Sequence, residues 1–585
     1  MKKKNNVSGL QSIHPSTDLD KVKDKNTKSS DPYLSKKELH GWYMFDWANS
    51  AFSSAAISGF LSLALQETAL QNSGFPEICP NVITDSSLVH EYFPNKTMMY
   101  FLKSAKLLTD CIQMNNTQYC SGTPSASYCL KTDGISTFPL RATIGSLSVD
   151  PNSYFSISMT ASKIVQLIFY ICLGSMADYG SLRYSCLLFF TLFGSIVSLL
   201  LPLMNSASWW LGGIITVVST LCFGLSLVFY NSYLPVLSQS HPRVRDAMKE
   251  DKEPINTKIQ DEMSGTGFIM GYISGVLILI LCVPIVYFFS VSGYIWSCSL
   301  SGLWWLLFSI PTFLYLKKRP GPDLPKGEHY ITYNFKRYGS SLKKMILLPN
   351  ALKMLLAWFL YSDCFNTIGS LAVQLANIYI NWGSLNKSIG LVILMIESPL
   401  AAGIGTWFFL LITRKNLIHA KKIIYICVIG NLIICIYASL MTIPSLFPYL
   451  NAYYYLFILC FIYGFFLGPV QSYSRSLFST MIPAGHESEF FAIYEVTDKG
   501  SSWIGPLAIS LCSTYLNNML YAFYIEIIMI ILSLIVLLFV DTKKAKREVK
   551  LFEATEKTIT TVKFANEVKE KVDIVIDKVK GMTTN

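Results

Sequence analysis

The stretch FDWANSAF, residues 45–52, stands where a polar, basic leader gives way to an apolar run. SDCFNTIG, residues 362–369, stands in the first part of a second apolar run. Both read Asp, two residues, Asn, then Ser or Thr: Asp46, Asn49 and Ser50, then Asp363, Asn366 and Thr367. Each is followed downstream by a second match, Asn231-Ser232-Tyr233 after the first and Gln471-Ser472-Tyr473 after the other. Asp46 and Tyr233 are 187 positions apart, Asp363 and Tyr473 are 110 apart, and the difference of 77 is close to the length of one polar insert at 69–152. With that insert removed the two registers coincide. The chain therefore reads as a parallel repeat, two halves related by an axis along a membrane normal.

The composition agrees. Of 585 residues, 52% are hydrophobic and only 15% charged, which is too few charges for the surfaces of several soluble domains. Apolar stretches of membrane-spanning length separate the charge clusters. About twelve spans are predicted, at 47–68, 153–177, 183–204, 209–234, 266–289, 295–316, 353–378, 388–412, 422–443, 452–471, 491–513 and 519–540. The first and eleventh are the least apolar. The fold class is all-α polytopic, six helices in each half. A disordered leader is expected at 1–40, an N-terminal half at 41–316, a linker at 317–352, a C-terminal half at 353–541 and a tail at 542–585.

Loop charge orients the spans. Arg243, Arg245, Lys249, Lys252, Lys317, Lys318, Arg319, Lys336, Arg337, Lys343, Lys344, Arg414, Lys415, Lys421 and Lys422 fall on one face, with Lys543 and Lys544 after the last span. The opposite short loops near 205–208, 290–294, 444–451 and 514–518 hold no Lys or Arg, Lys387 being the exception on that side. Both termini are expected in the cytosol. The net charge of +11 sits in these loops, so it is no argument for nucleic acid. The insert then faces the lumen, with Cys79, Cys111, Cys120 and Cys129 and glycosylation sequons at Asn95 and Asn115. Four cysteines allow three pairings, and an oxidising face favours disulfides over free thiols.

Between spans two and three lies GSMADYGSLRY, residues 174–184. It resembles the loop motif of major facilitator transporters, G-x-L-A-D-x-x-G-R-[RK], with Gly174, Ala177 and Asp178 in place and Gly180 one position early. Arg183 is the nearby candidate for the basic cluster. The logic of such a loop is a carboxylate that ties to a helix end or an Arg and latches one conformation. GWYMFDWANSAF, VFYNSYLPVL, GTGFIMGYISG, GLWWLLFSIP, WFLYSDCFNTIG, GPVQSYSRSLFS and EFFAIYEVTDKGSSWIGPL, taken as a set, resemble the autophagy-related vacuolar amino-acid effluxer family over residues 41–540. That resemblance implies a major facilitator fold in the vacuolar or lysosomal membrane and export of neutral amino acids to the cytosol. A transporter of another solute and a non-transporting receptor or scaffold with the same fold are the alternatives.

Several charges stand where a transporter would use them. Asp46 reads either as a first-turn dipole partner or as a cavity group. Asp363 lies deeper and is expected to face a cavity or a partner. Arg475, Glu487, Glu489, Glu495, Asp498 and Lys499 surround the junction of spans ten and eleven, as a solvated network or as a gate. Lys163 and Glu397 fall near mid-membrane in spans two and eight, equivalent in the repeat. They are read as a structural pair or as a clamp for the carboxylate and ammonium of an amino acid, with a proton on Glu397 as a further option. Gly267 and Gly271 read as a helix-packing notch. The tail's Val568, Val572, Val575 and Val579 recur at helical spacing, and no chemistry is assigned to it. No Walker loop, compact catalytic constellation or metal-ligand spacing occurs, so no enzyme activity and no cofactor are expected. Proton coupling stays open, and a monomer is expected. Endoglycosidase should shift the mobility of the wild-type chain but not of an Asn95→Gln/Asn115→Gln variant. Thiol reagents should reach the loop cysteines only after reduction; labelling of the insert from the cytosolic side of intact vesicles would reverse the orientation.

Overall fold

The computed structural model describes residues 32–73, six short strands between 111 and 149, and 151–174, 176–248, 252–322, 345–378, 380, 382–383, 387–502, 504–505, 507–508, 512 and 519–558. Cys79, Asn95, Asn115 and the valine repeat of the tail lie outside these residues. Among the insert strands, Cys111–Met114 pairs antiparallel with Thr117–Cys120, and the register sets Cys111 opposite Cys120. Cys129 lies on the separate strand Tyr128–Lys131.

Twelve helical segments occupy the twelve predicted positions. The N-terminal half holds α1 (Lys36–Ala51, continuing through the π-helical Phe52–Phe60 into Leu61–Ser73), α2 (Pro151–Leu173), α3 (Leu182–Ser198), α4 (Trp209–Gln239), α5 (Lys252–Phe289) and α6 (Ser292–Tyr315). The C-terminal half holds α7 (Pro349–Ile378), α8 (Lys387–Arg414), α9 (Ala420–Leu440), α10 (Tyr453–Ser479), α11 (Glu487–Ser501) and α12 (Ala522–Leu538), followed by α13 (Thr542–Thr558). Eight of these are long and apolar enough to cross a bilayer, and α12 joins them when counted with the helix it bends into. α2, α7 and α11 carry Lys163, Asp363, and Asp498 with Lys499. The polar helices are the ones that bring charge inside.

The start of α1 corrects one expectation. Ser35 caps the helix, its hydroxyl accepting from the Glu38 amide at 3.1 Å, as a Ser-x-x-Glu sequence favours. Glu38 is then drawn into a buried ion pair with Arg319, at 2.9 and 3.0 Å. Asp46 consequently sits ten residues inside α1 rather than in its first turn, so the helix-dipole role falls away. Asp363 is likewise far inside α7, which begins at Pro349.

α5 and α6 form one tight hairpin. The two limbs lie side by side, with Cys282 Sγ 3.9 Å from the Ser297 carbonyl. At the turn, a Cβ on Gly293 would meet the Ile285 carbonyl at 2.6 Å. Both limbs pack on α1. On α5, Gly267, Gly271 and Gly275 form a four-residue ladder whose missing side chains admit Asp46, Ser50 and Ser54 of α1. This is close backbone approach through small residues, the usual way membrane helices associate. The outer faces run the other way. α3 turns Gly194, Ser195 and Ser198 inward and exposes Phe189, Phe193 and Ile196, which suits a helix solvated by lipid. Each half has its own core, around Phe52 and Trp305 in one and around Tyr361, Phe478 and Tyr494 in the other.

Gly275→Leu should force α1 and α5 apart, because a Cβ alone would stand 2.5 Å from Ser54 Oγ. A loss of about 1–3 kcal/mol, read as a lower detergent-solubilised melting temperature, is expected. An unchanged transition would show that the ladder does not set the helix spacing.

Candidate functional site

The face carrying the basic loops is where the halves are tied by charge. The turn between α2 and α3 is left-handed at Gly180 (φ 54°) and pinned to the segment after α6, with Gly180 N on Pro322 O at 3.0 Å and Gly321 N on Gly180 O at 2.8 Å. This aims Asp178 at the other half. Its carboxylate accepts from the Ser488 and Glu489 amides at 2.7 and 3.1 Å, capping the start of α11. Arg183 Nη2 bonds Asp178 and reaches across to Glu487, both at 2.9 Å, while its Nε donates to Ser488 Oγ at 3.2 Å. The loop motif therefore meets both a helix end and an Arg, and the displaced Gly180 does not prevent it.

The second tie is Arg475 of α10, which is buried. Its guanidinium stands 3.6 Å from Asp46 and donates to Ser264 Oγ at 2.9 Å, the Ser264 carbonyl at 3.1 Å and Asn231 Oδ1 at 3.2 Å. The Phe268 ring lies 4.3 Å away, with Trp42 and Tyr230 at 5.5 and 5.6 Å. Tyr230 donates to Asp46 at 2.6 Å. Asn231 also donates to Glu495 of α11 at 3.4 Å. Arg475, Glu487, Glu489, Glu495 and Asp498 are all buried, which replaces the reading of a solvated network by one of a dry seam between the halves. Glu489 is held by His486 Nδ1 at 3.0 Å as well as by Asp178.

The repeat is visible in how each half reaches for the other. Asn231 of α4 engages α10 and α11, while its counterpart Gln471 of α10 accepts from Tyr272 of α5 at 2.8 Å. The α2–α3 turn meets α11, and after α8 the Arg414 carbonyl and Asn416, left-handed at φ 56°, take Lys258 of α5 at 2.9 and 3.1 Å. Sequence reasoning did not single out Lys258, Ser264 or the pairing of Glu38 with Arg319. A lone Ser or a loop Lys carries no signal without its partner.

The inner charges regroup. The electrostatic neighbours of Lys163 are Lys499, Asp498 and Asp363, from α11 and α7. Asp498 takes Lys499 at 2.5 Å and the Ser362 hydroxyl. Asp363 is fully buried, and neither carboxylate oxygen makes a hydrogen bond of ordinary geometry among the described residues; the Gly505 amide and Lys163 are its favourable electrostatic partners, and the carboxylates of Glu526 and Asp498 oppose its charge. Glu397 is half-buried beside Cys460 and is not among the groups around Lys163. The clamp read from span depth is thus not assembled from Lys163 and Glu397 in this conformation. Asn49 is buried, accepting from Ser50 at 3.3 Å, and Asn366 is exposed.

A family model described as vacuole effluxer Atg22 like matches residues 34–550. The chain belongs to this family. The effluxer is 27% identical to autophagy-related protein 22-1 of Aspergillus niger, over 88% of this chain and 90% of that one. It is 26% identical to autophagy-related protein 22 of Yarrowia lipolytica, over 89% and 99%. Among solved structures it is similar to the human organic anion transporter MFSD10, with TM-score 0.52 and 12% identity over 86% of this chain and 99% of that one. It is also similar to the proton:xylose symporter XylE, with TM-score 0.50 and 11% identity over 85% and 99%. The fold is that of the major facilitator superfamily. The effluxer is a multi-pass vacuolar membrane transporter, not an enzyme.

Arg475→Met should cost this effluxer about 3–5 kcal/mol, because Asp46 is left buried without its cation. Adding Asp46→Asn should recover most of the loss. Thermal unfolding of the two single variants and the double variant checks the coupling; simple additivity would mean that the pair does not interact.

Proposed function

We propose that this effluxer exports neutral amino acids from the vacuole to the cytosol by alternating access, with both termini and the basic face in the cytosol. The observation that carries the reading is the one-sided seal. Among the described residues, the ion pairs joining the halves are Arg183 with Glu487, Arg475 with Asp46, and Lys546 and Lys550 with Glu253, all toward the basic face. A seal of breakable charge pairs at one end suits a conformation closed to the cytosol and set to receive solute from the lumen. Family membership and loop charge support the direction.

The substrate class follows from the charges behind the seal. A neutral amino acid presents a carboxylate and an ammonium, each needing an opposite charge once out of water. Lys163 on α2 receives the first, and Asp363 on α7 the second, one group from each half. A binding event that joins the halves favours their movement about it. A receptor or scaffold gains nothing from titratable groups gathered inside the spans α2, α7 and α11, which disfavours that alternative. Asp363 is also the carboxylate placed to carry a coupled proton.

Purified effluxer in proteoliposomes should move leucine-like amino acids, and Lys163→Met and Asp363→Asn should each lower flux by at least roughly tenfold at unchanged abundance. Glu397→Gln should keep most of it. Any stimulation by a pH gradient should vanish in Asp363→Asn. Wild-type flux in Lys163→Met would sink the zwitterion site, and flux of sugars or organic anions alone would move the substrate to another class.

A further inference from the structure

Helix α13 supplies Lys546 and Lys550 to the seal, and the rest of it is built into the same face. It leaves α12 at 63° and runs across the ends of the helices. Its root is firm. Asp541 Oδ1 accepts from the Lys543 and Lys544 amides at 2.9 and 3.0 Å, starting the helix. Those amides, Lys544 first, hold the exposed Asp541 carboxyl below the usual carboxylate range. Asn350 at the start of α7 clasps both sides of the bend: its Oδ1 accepts from Asp541 N at 3.0 Å, and its Nδ2 donates to Glu548 at 2.6 Å. Ala545 and Phe552 are buried in the C-terminal core, and the Phe552 ring lies 5.7 Å from that of His486. Glu553 accepts from the Ala484 amide at 2.9 Å, and Glu556 meets His486 Nε2 at 3.1 Å.

Its attachment to the other half is of a different kind. Lys546 donates to Thr257 at 2.6 Å and stands 3.8 Å from Glu253, which also takes Lys550. Thr257 and Glu253 are in the first turns of α5, in the N-terminal half. Lys550 is exposed and Glu253 partly so. The helix is therefore anchored by apolar burial on one half and clipped on the other by charge, the half-buried Lys546 and the exposed Lys550. Parting the halves at this face must break the clip and leave the root intact.

We propose that α13 is an autoinhibitory strap, fixed to the C-terminal half and clipped to α5 through Lys546 and Lys550, which holds the effluxer closed on the cytosolic side and sets how often it opens. The inference rests on the alternating-access reading above. It assigns a function to a tail whose sequence carried none, and it makes opening sensitive to ionic strength, since exposed pairs are screened.

The test uses the full chain with site-specific spin labels at Met248 and Leu417, exposed residues on the same face of opposite halves. Wild-type protein should show a major short and a minor long separation. Lys546→Glu with Lys550→Glu should raise the ratio of long to short about three- to tenfold at low salt, and less at high salt. Adding Glu253→Lys should restore the wild-type ratio, a rescue that simple unfolding does not produce. Two separations in the wild-type protein whose ratio the charge reversal leaves unchanged would overturn the strap alone. One separation in every variant would overturn the strap together with alternating access.

Discussion

Arg475 is buried where the two halves meet, and a guanidinium stays charged wherever it is placed. Removing that charge from water costs several kcal/mol unless anions and acceptors replace the solvent on every side. Asp46, Asn231 and Ser264 do so from α1, α4 and α5, and an aromatic box of Phe268, Trp42 and Tyr230 covers the rest. Much of the local architecture follows from this one requirement. Asp46 needs the missing side chain of Gly267 to lie where it does, since a Cβ there would meet Oδ2 at 2.2 Å. α1 therefore has to run close along α5, and α4 has to bring Tyr230 and Asn231 to the same point.

The same requirement shapes the boundary between the halves. The hydrogen bonds and ion pairs across the seam join charged or strongly polar groups, and such contacts have two good states, paired or hydrated. Apolar packing across the seam would have only one. The polar ties run through Asp178, Arg183, Arg475, Asn231 and Lys258, and smaller apolar contacts of Ala492 and Met395 with the N-terminal half accompany them. Rigid bodies with a polar boundary between them are what a rocking transporter needs.

The repeat is symmetric in placement and asymmetric in chemistry. Asp46 and Asp363 are matching residues of the two Asp-x-x-Asn stretches, but Asp46 is satisfied by Arg475 and Tyr230, while Asp363 has Lys163 and the Gly505 amide as favourable partners and the carboxylates of Glu526 and Asp498 among its electrostatic neighbours. Asn231 and Gln471 each reach the opposite half, one toward a buried Arg and Glu, the other toward a Tyr hydroxyl. One member of each pair is tied to buried charge at the seam. The other makes fewer bonds: Asp363 has neither oxygen in an ordinary hydrogen bond among the described residues, and Gln471 accepts from one Tyr.

Length, apolar runs, loop charge and the 77-residue offset determined the number of helices, their repeat and the face on which the basic loops gather, because those properties are local or counted along the chain. The Asp178 loop was legible too, since a short turn between two spans can only lie at the membrane surface. Which charges meet was not legible. Depth along a span gives height in the membrane but not the angle about the helix axis, so Lys163 and Glu397 matched in height yet point to different neighbourhoods. Asp46 seemed to open a helix until Ser35 and the buried Glu38–Arg319 pair moved the start ten residues back. Arg475 and its carboxylates resembled a solvated loop by composition, because only the packing of α4, α5, α10 and α11 removes the water around them. Side-chain partners more than two hundred residues apart are a property of three-dimensional packing, and the tertiary structure alone decided them.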